Sequence, residues 1–404
     1  MCIGGCVMSK EIVFLVNDMD PYGGVERRIG LLSKNLAQNG YVVTVIMLKN
    51  EKIHYPLSQE VKGLSLNELP PRPIAIRILS RLYWKIDYRF RKKVAETVFR
   101  KIGHPITKAE NTYFYHYFET SSFLTGYLKE RPDATVIAFD YGAGLTLAIA
   151  AGKIPVKAVF SSAISPIMPK MKPEDCQFRN KYMTNYHYAI FQTQEVKRYY
   201  DSIISGEKAV IHNPVKHDLP LPYEGKRSKR IVSFARLNYQ KNFTLLISAF
   251  AEIHTKYPEY TLEIFGDGPD EENLRRAINE FHLEESAFLF PVRQDVHIAV
   301  LDASMFVLPS DFEGLSNSML EAMAIGLPCI CTDCDGGGAR EIIHDGENGL
   351  LVPKGDKEAL SQAIERLILN PEFAEKLGRS ASGIREELSE EKIIEQWIGF
   401  LSSL

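Results

Sequence analysis

Two glutamates, Glu313 and Glu321, stand eight positions apart in the stretch FEGLSNSMLEAMAIGLP, residues 312–328. The first lies in a polar turn and the second in the run SMLEAMAI, a helix stopped by Gly326 and Pro328. Because the apolar segment MFVLPS precedes them, DFEGLSN reads as the loop leaving the carboxyl end of a strand. The backbone N–H groups of Leu315, Ser316 and Asn317 then cluster at a helix start, where the dipole favours an anion such as phosphate. Two carboxylates beside an anion hole suit a ligand carrying both hydroxyls and phosphate, and a nucleotide-sugar is one. The same spacing admits a structural reading, since Ser318 and Glu321 complete an S-x-x-E capping box. Spacing alone leaves both readings open.

The surrounding elements give that loop a place. From Glu11 the chain reads EIVFLVND, the glycine turn PYGG, the amphipathic run VERRIGLLSKNLAQNG and then YVVTVIMLK, a βαβ unit. Similar alternation follows in TVIAFD, the small-residue run GAGLTLAIAAG, VKAVFSS, YAIFQT, EVKRYYDSI and KAVIHNP. Residues 213–230, rich in proline and charge, read as an interdomain linker. The pattern then restarts with the strands RIVSFARL, TLEIFGDG, SAFLFPVR, MFVLPS and LPCICTD, separated by helices. Apolar strands alternating with helices imply parallel sheets covered on both faces. The chain is therefore expected to be α/β, with two doubly wound, Rossmann-like domains over residues 8–215 and 228–385. A carboxy-terminal helix at about 386–404 should pack back on the first. Ligands of such sheets bind outside the carboxyl ends of the strands, so a cleft between the domains is the expected site.

At 404 residues, 45% hydrophobic and 25% charged, the chain belongs to the ordinary globular class, and its net charge of -3 gives no general attraction to nucleic acid. The opening MCIGGCVMSKE lacks the basic start and apolar core of a signal peptide, and no apolar run spans a bilayer. A cytoplasmic protein is expected, with residues 1–7 outside the fold. Six cysteines are too few and too clustered for a disulfide framework. Cys329, Cys331 and Cys334 lie on or beside the apolar strand CICTD with no second ligand pair, so they read as buried free thiols.

FEGLSNSMLEAMAIGLP resembles the E-x7-E signature of family 4 retaining glycosyltransferases, which have the GT-B fold. The likeness extends along the chain through NDMDPYGGVERRIGLLSKNLAQNG, SFARLNYQKNFTLLISAF, IFGDGPDEENL and GENGLLVPKGD. The nearest-looking group builds bacterial capsular and exopolysaccharides. The resemblance implies that Glu321 holds the ribose hydroxyls of a donor nucleotide and Glu313 the hydroxyls of its sugar. Arg236 and Lys241 would hold the diphosphate, whose negative charge grows as the anomeric bond breaks. Gly23 and Gly24 would let the opposite domain approach that diphosphate, and Gly266 would lie in the next donor-side loop. The implied activity is retaining transfer of a hexose from a nucleotide diphosphate sugar, a UDP-sugar, to a hydroxyl of a growing lipid-linked glycan. No covalent nucleophile is evident, so the leaving diphosphate oxygen would take the acceptor proton. Base contacts are expected around Val292 and Arg293.

Asp333 and Asp335 form a D-x-D that would bind metal in another glycosyltransferase fold. Here Arg236 and Lys241 already serve the diphosphate, so no obligatory metal or other cofactor is expected. Two departures from the family stand out. SSAISP follows VKAVF where relatives carry Arg and Asn, and no cleft-facing histidine is evident in the first half; His116 in YFYHYF reads as packed. Asp140, Tyr141, Ser161 and Ser165, at strand ends, are the candidate acceptor contacts. The basic segment 72–101, with Arg77, Arg81, Lys85, Arg89, Arg91, Lys92, Lys93 and Arg100 among interleaved aromatics, is expected to lie on an anionic membrane at the inner face of the cell. A dinucleotide-dependent oxidoreductase would share the architecture, but neither PYGGVER nor IFGDGPDEE completes G-x-G-x-x-G. A two-lobed sugar-binding protein would need no diphosphate cations.

Overall fold

The computed structural model describes residues 10–19, 24–49, 55–68, 108–162 and 173–404, with no side-chain detail for Asn67, 108–116, 118, 119 and 173–175. Gly23, Ser165, the side chain of His116 and the basic segment 72–101 lie outside the described residues. Two parallel sheets dominate. The first holds β1 (Glu11–Val16), β2 (Val42–Met47), β3 (Lys62–Ser65), β4 (Thr135–Ala138), β5 (Lys157–Ser162), β6 (Tyr188–Phe191) and β7 (Glu207–Val210), in the order β3-β2-β1-β4-β5-β6-β7. The second holds β8 (Arg230–Phe234), β9 (Thr261–Phe265), β10 (Ala287–Phe290), β11 (Met305–Leu308), β12 (Cys329–Asp333) and β13 (Leu350–Pro353), in the order β10-β9-β8-β11-β12-β13.

The inner strands are continuous apolar runs because helices cover both faces. In β1, Val13 and Leu15 enter one core while Ile12, Phe14 and Val16 enter another. β12 divides likewise, with Cys329 and Cys331 on one face and Ile330 on the other. Burial raises the pKa of all three strand-region thiols, Cys334 to about 12, so they stay protonated at neutral pH. β3 has no counterpart in the sequence reading: KGLS is a short, partly polar edge strand without alternation strong enough to mark it.

Strand order reverses between β1 and β4 in the first sheet and between β8 and β11 in the second. These are the switch points where open α/β sheets form crevices. The loops after β1, β4, β8 and β11 carry Gly24, Asp140, Arg236, Lys241 and Glu313, so the topology places the candidate residues at the two crevices.

The connection from β7 to β8 is tied down rather than loose. Val215 N–H donates to the Leu388 carbonyl at 2.8 Å, and Arg385 donates to the carbonyls of Leu219 and Pro220 at 3.1 and 3.0 Å. The last helix, Glu390–Ser403, is capped by the Ser389 hydroxyl and packs against helix Gly24–Gln38 of the first sheet's layer. Its Trp397, 1% exposed, stacks on Phe139 with ring centroids 6.1 Å apart.

Candidate active site

The second switch point is built from four interlocked loops. After β8, Asn238 caps a 3-10 turn, Tyr239–Lys241, by accepting from Lys241 N–H at 3.3 Å. Asn242, left-handed at φ 47°, then opens helix Phe243–Lys256 and donates its side-chain amide to Asp311 at 2.8 Å. That bond joins this loop to the one after β11. Beneath them a Cβ on Gly266 would meet the Ala235 carbonyl oxygen at 2.0 Å, so only glycine allows the loop after β9 to approach. The loop after β12 closes the group, with Glu313 N–H donating to the Asp335 carbonyl at 2.8 Å.

Lys241 and Glu313 are brought together: Nζ donates to Glu313 Oε2 at 2.5 Å, and the Ser310 hydroxyl donates to the same oxygen at 3.2 Å. Both side chains are largely buried, so this pair is screened far less than a surface ion pair. Arg236 is exposed and has no ion-pair partner among the described residues. Leu315 and Ser316 are buried, and helix Asn317–Ala324 starts directly after them. No acceptor within the described residues takes the N–H groups of Leu315, Ser316 or Asn317. An exposed guanidinium, a paired ammonium, a carboxylate and three backbone donors thus lie on the loops of one switch point, the chemistry of an anion flanked by hydroxyls.

Glu321 does not serve a capping box. Ser316 is the N-cap, no side-chain cap bond forms, and the Ser316 and Ser318 hydroxyls lie 3.0 Å from each other. Instead Glu321 Oε1 accepts from Arg27 of the first domain, and Oε2 lies 2.9 Å from His297 Nε2. Burial pushes the Glu321 carboxyl up, but the His297 hydrogen bond and the Arg27 charge outweigh it and hold its pKa at about 2, against an ordinary 4.5. A depressed carboxyl contributes stability above its unfolded pKa and loses it as pH falls toward the folded value. In urea unfolding, wild type should exceed Glu321→Gln by on the order of 3 kcal/mol at pH 7, and the gap should narrow steadily below about pH 4.5. A gap independent of pH would show that ionisation of Glu321 contributes nothing.

Sequence reasoning missed Arg27 and His297. Arg27 lies 294 residues from Glu321, a separation no motif reports. His297 sits in the single turn Val296–Ala299, in the second half of the chain, whereas a histidine was sought in the first.

The two helix starts face each other across the domains. A Cβ on Gly24 would lie 2.6 Å from Asn317 Nδ2, and Asn213 donates to Asn317 Oδ1 at 2.9 Å. A second set of bridges joins helix Gln194–Tyr200 to the loop after β12. Glu195 accepts from Gly336 N–H at 2.7 Å and from Arg340 at 2.6 Å, and the Thr193 hydroxyl donates to the Gly336 carbonyl at 2.8 Å.

The acceptor candidates are less open. Asp140 caps helix Tyr141–Ala151, accepting from Ala143 N–H at 2.9 Å and from Asn17 through both its backbone and side-chain nitrogens at 2.7 Å. Burial raises its pKa against those hydrogen bonds. Ser161 is fully buried and accepts from Arg28 at 3.4 Å, while Tyr141 is half-buried at the start of its helix. Asp333 pairs with Arg340, and Asp335 with Lys354 at 2.6 Å, so both D-x-D carboxylates face cations. Arg293 grips Asp295 through two bonds of 2.7 Å, and Val292 is exposed beside it.

Two doubly wound domains, with a basic, carboxylate-bearing loop at the switch point of the second, have the architecture of the GT-B fold. Residues 223–383 match the family model described as "Glycosyl transferases group 1". It is 25% identical over 394 residues to an uncharacterized glycosyltransferase of Haemophilus influenzae, covering 97% of this chain and 100% of that one. It is 23% identical over 410 residues to the amylovoran biosynthesis glycosyltransferase AmsD of Erwinia amylovora, covering 97% and 99%. Among solved structures, the Anabaena protein HepE in complex with UDP-glucose superposes with a TM-score of 0.71 at 18% identity, covering 98% and 100%.

Proposed function

We propose that the protein is a retaining hexosyltransferase that moves a hexose from a UDP-sugar to a hydroxyl of a growing, lipid-linked bacterial polysaccharide of the capsular or exopolysaccharide kind. The observation that carries this reading is the Lys241–Glu313 pair on switch-point loops that also carry Arg236 and the N–H groups of 315–317, with Glu321 accepting from Arg27 of the other domain. Residues 228–385 form the donor domain and residues 8–215 the acceptor side. Lys241 and Arg236 hold the diphosphate with the N–H groups of Leu315, Ser316 and Asn317, while Gly266 and the pair Gly23 and Gly24 let backbone come close. Glu313, its orientation fixed by Lys241 and Ser310, accepts hydrogen bonds from sugar hydroxyls, and Glu321 accepts from the ribose.

As the anomeric bond breaks, the bonding electrons go to the diphosphate oxygen, whose charge Lys241 and Arg236 stabilise without an obligatory metal. That oxygen takes the acceptor hydroxyl proton on the face where the new bond forms, so the anomeric configuration is kept. The polysaccharide assignment leans on the name of the AmsD relative, and the uridine assignment on the UDP-glucose complex of HepE. No helix among the described residues is long and apolar enough to cross a membrane. The basic segment 72–101 would hold the enzyme peripherally at the inner face of the cell membrane, in the cytoplasm. In thermal unfolding, UDP should raise the midpoint, whereas NAD and free glucose should leave it unchanged. Stabilisation by NAD and not by UDP or GDP would reverse the assignment.

A further inference from the structure

A cavity of about 520 Å³ opens behind helix Gly24–Gln38, between it, the segment around Tyr55 and the connection at 214–218. Arg27 lines this cavity while donating to Glu321 on its other side, so one guanidinium joins the cavity to the candidate ribose carboxylate. Lys34 and Lys216 also line it, and neither has an ion-pair partner among the described residues. Of the two carboxylates at its rim, Glu390 is within 3.3 Å of His217 Nδ1, which leaves Asp218 against three cations. Its floor is shaped for a flat contact: a Cβ on Gly30 would lie 2.4 Å from Tyr55 Cε1, so glycine lets the ring lie against the helix. The volume falls in the range that holds a small ligand rather than water alone.

We propose that this cavity binds a soluble phosphate ester, and that its occupation raises nucleotide affinity by drawing Arg27 away from Glu321. Two ammonium groups and a guanidinium suit a phosphate dianion, and the tyrosine ring suits the organic part. Arg27 cannot serve both anions fully. A phosphate beside it competes with Glu321 Oε1, and the oxygen released becomes available to a ribose hydroxyl. Coupling of this kind is reciprocal, so nucleotide must tighten phosphate-ester binding by the same factor. Binding to the cavity is independent of the proposed function; the effect on nucleotide rests on that reading through Glu321.

Calorimetry on the full chain tests both halves with glycerol phosphate and UDP. Glycerol phosphate should bind wild type and bind Lys34→Gln/Lys216→Gln at least about tenfold more weakly, since two charge-assisted contacts are lost. Saturating glycerol phosphate should tighten UDP binding to wild type about fivefold or more, and should leave UDP binding to the double variant unchanged. UDP alone should bind both proteins alike. Equal glycerol phosphate binding by the two proteins overturns the proposal. So does unchanged or weakened UDP binding in wild type, the result expected if the anion simply competes at the diphosphate site. If UDP fails to bind wild type at all, the nucleotide reading and the coupling fall together, and the glycerol phosphate comparison still decides the cavity.

Discussion

Lys241→Met should lower nucleotide-sugar turnover by about 10²–10³-fold, a loss of about 2.7–4 kcal/mol, the scale seen when one preorganised donor to a developing negative charge is removed. The ammonium is held by its place in the 3-10 turn, by the Asn238 cap on its own N–H, and by Glu313 at 2.5 Å. Little reorganisation is then needed as the leaving diphosphate gains charge. Methionine keeps the length of the side chain and its packing but supplies no donor. The substitution also leaves Glu313 with Ser310 as its remaining partner, which costs about 1–3 kcal/mol of stability. Lys241→Met combined with Glu313→Gln removes that uncompensated charge, so its unfolding midpoint should recover while turnover stays low. Initial rates and urea unfolding on the same preparations separate the two effects. Turnover that recovers along with stability would make Lys241 a structural partner of Glu313 alone.

Trp397→Ala should destabilise the protein by about 3–5 kcal/mol, the usual cost of deleting a large buried aromatic. Trp397 is wholly enclosed, stacks on Phe139 and shares a core with Ile29, Leu32 and Ile394. The residue lies near the end of the chain yet fills the layer that positions helix Gly24–Gln38, from which Arg27 reaches the second domain. Unfolding in urea should shift to lower denaturant with an unchanged slope. A loss below about 1 kcal/mol would mean that the last helix frays without consequence, contrary to the burial of its inner face.

The switch-point loops were legible because each strand–loop–helix unit carries its own local signals: apolar runs, glycine stops and a change from strand to helix period. Arg236, Lys241 and Glu313 follow such strands directly, so their place on loops is written in the local sequence. The edge strand β3 lacked those signals. Glu321 illustrates a second limit. Its i−3 serine made capping a fair reading, but helix Asn317–Ala324 begins one residue earlier than Ser318, and the carboxylate turns to partners on two other elements. Spacing along a chain reports local neighbours only. Arg27, Asn213 and the Glu195–Arg340 bridge are contacts of the assembled domains, which depend on how two sheets face one another, and His297 reaches Glu321 from a separate element of the second domain. The burial of Ser161 and the capping role of Asp140 were hidden for the same reason, since a strand end looks alike whether it meets solvent or another helix.

The central claim is that Glu313 and Glu321 divide one nucleotide-sugar between them, and titration of UDP into three folded proteins tests it most directly. Wild type and Glu313→Gln should bind UDP alike, because Glu313 faces the sugar that UDP lacks. Glu321→Gln should bind it more weakly by about 1–3 kcal/mol, since a charge-assisted acceptor for the ribose is lost. Measured above pH 6, where the carboxylate of Glu321 is fully ionised, the three isotherms should therefore separate into two. Undiminished UDP affinity in Glu321→Gln, with the fold intact, would contradict the account and leave Glu321 as a bridge between domains only.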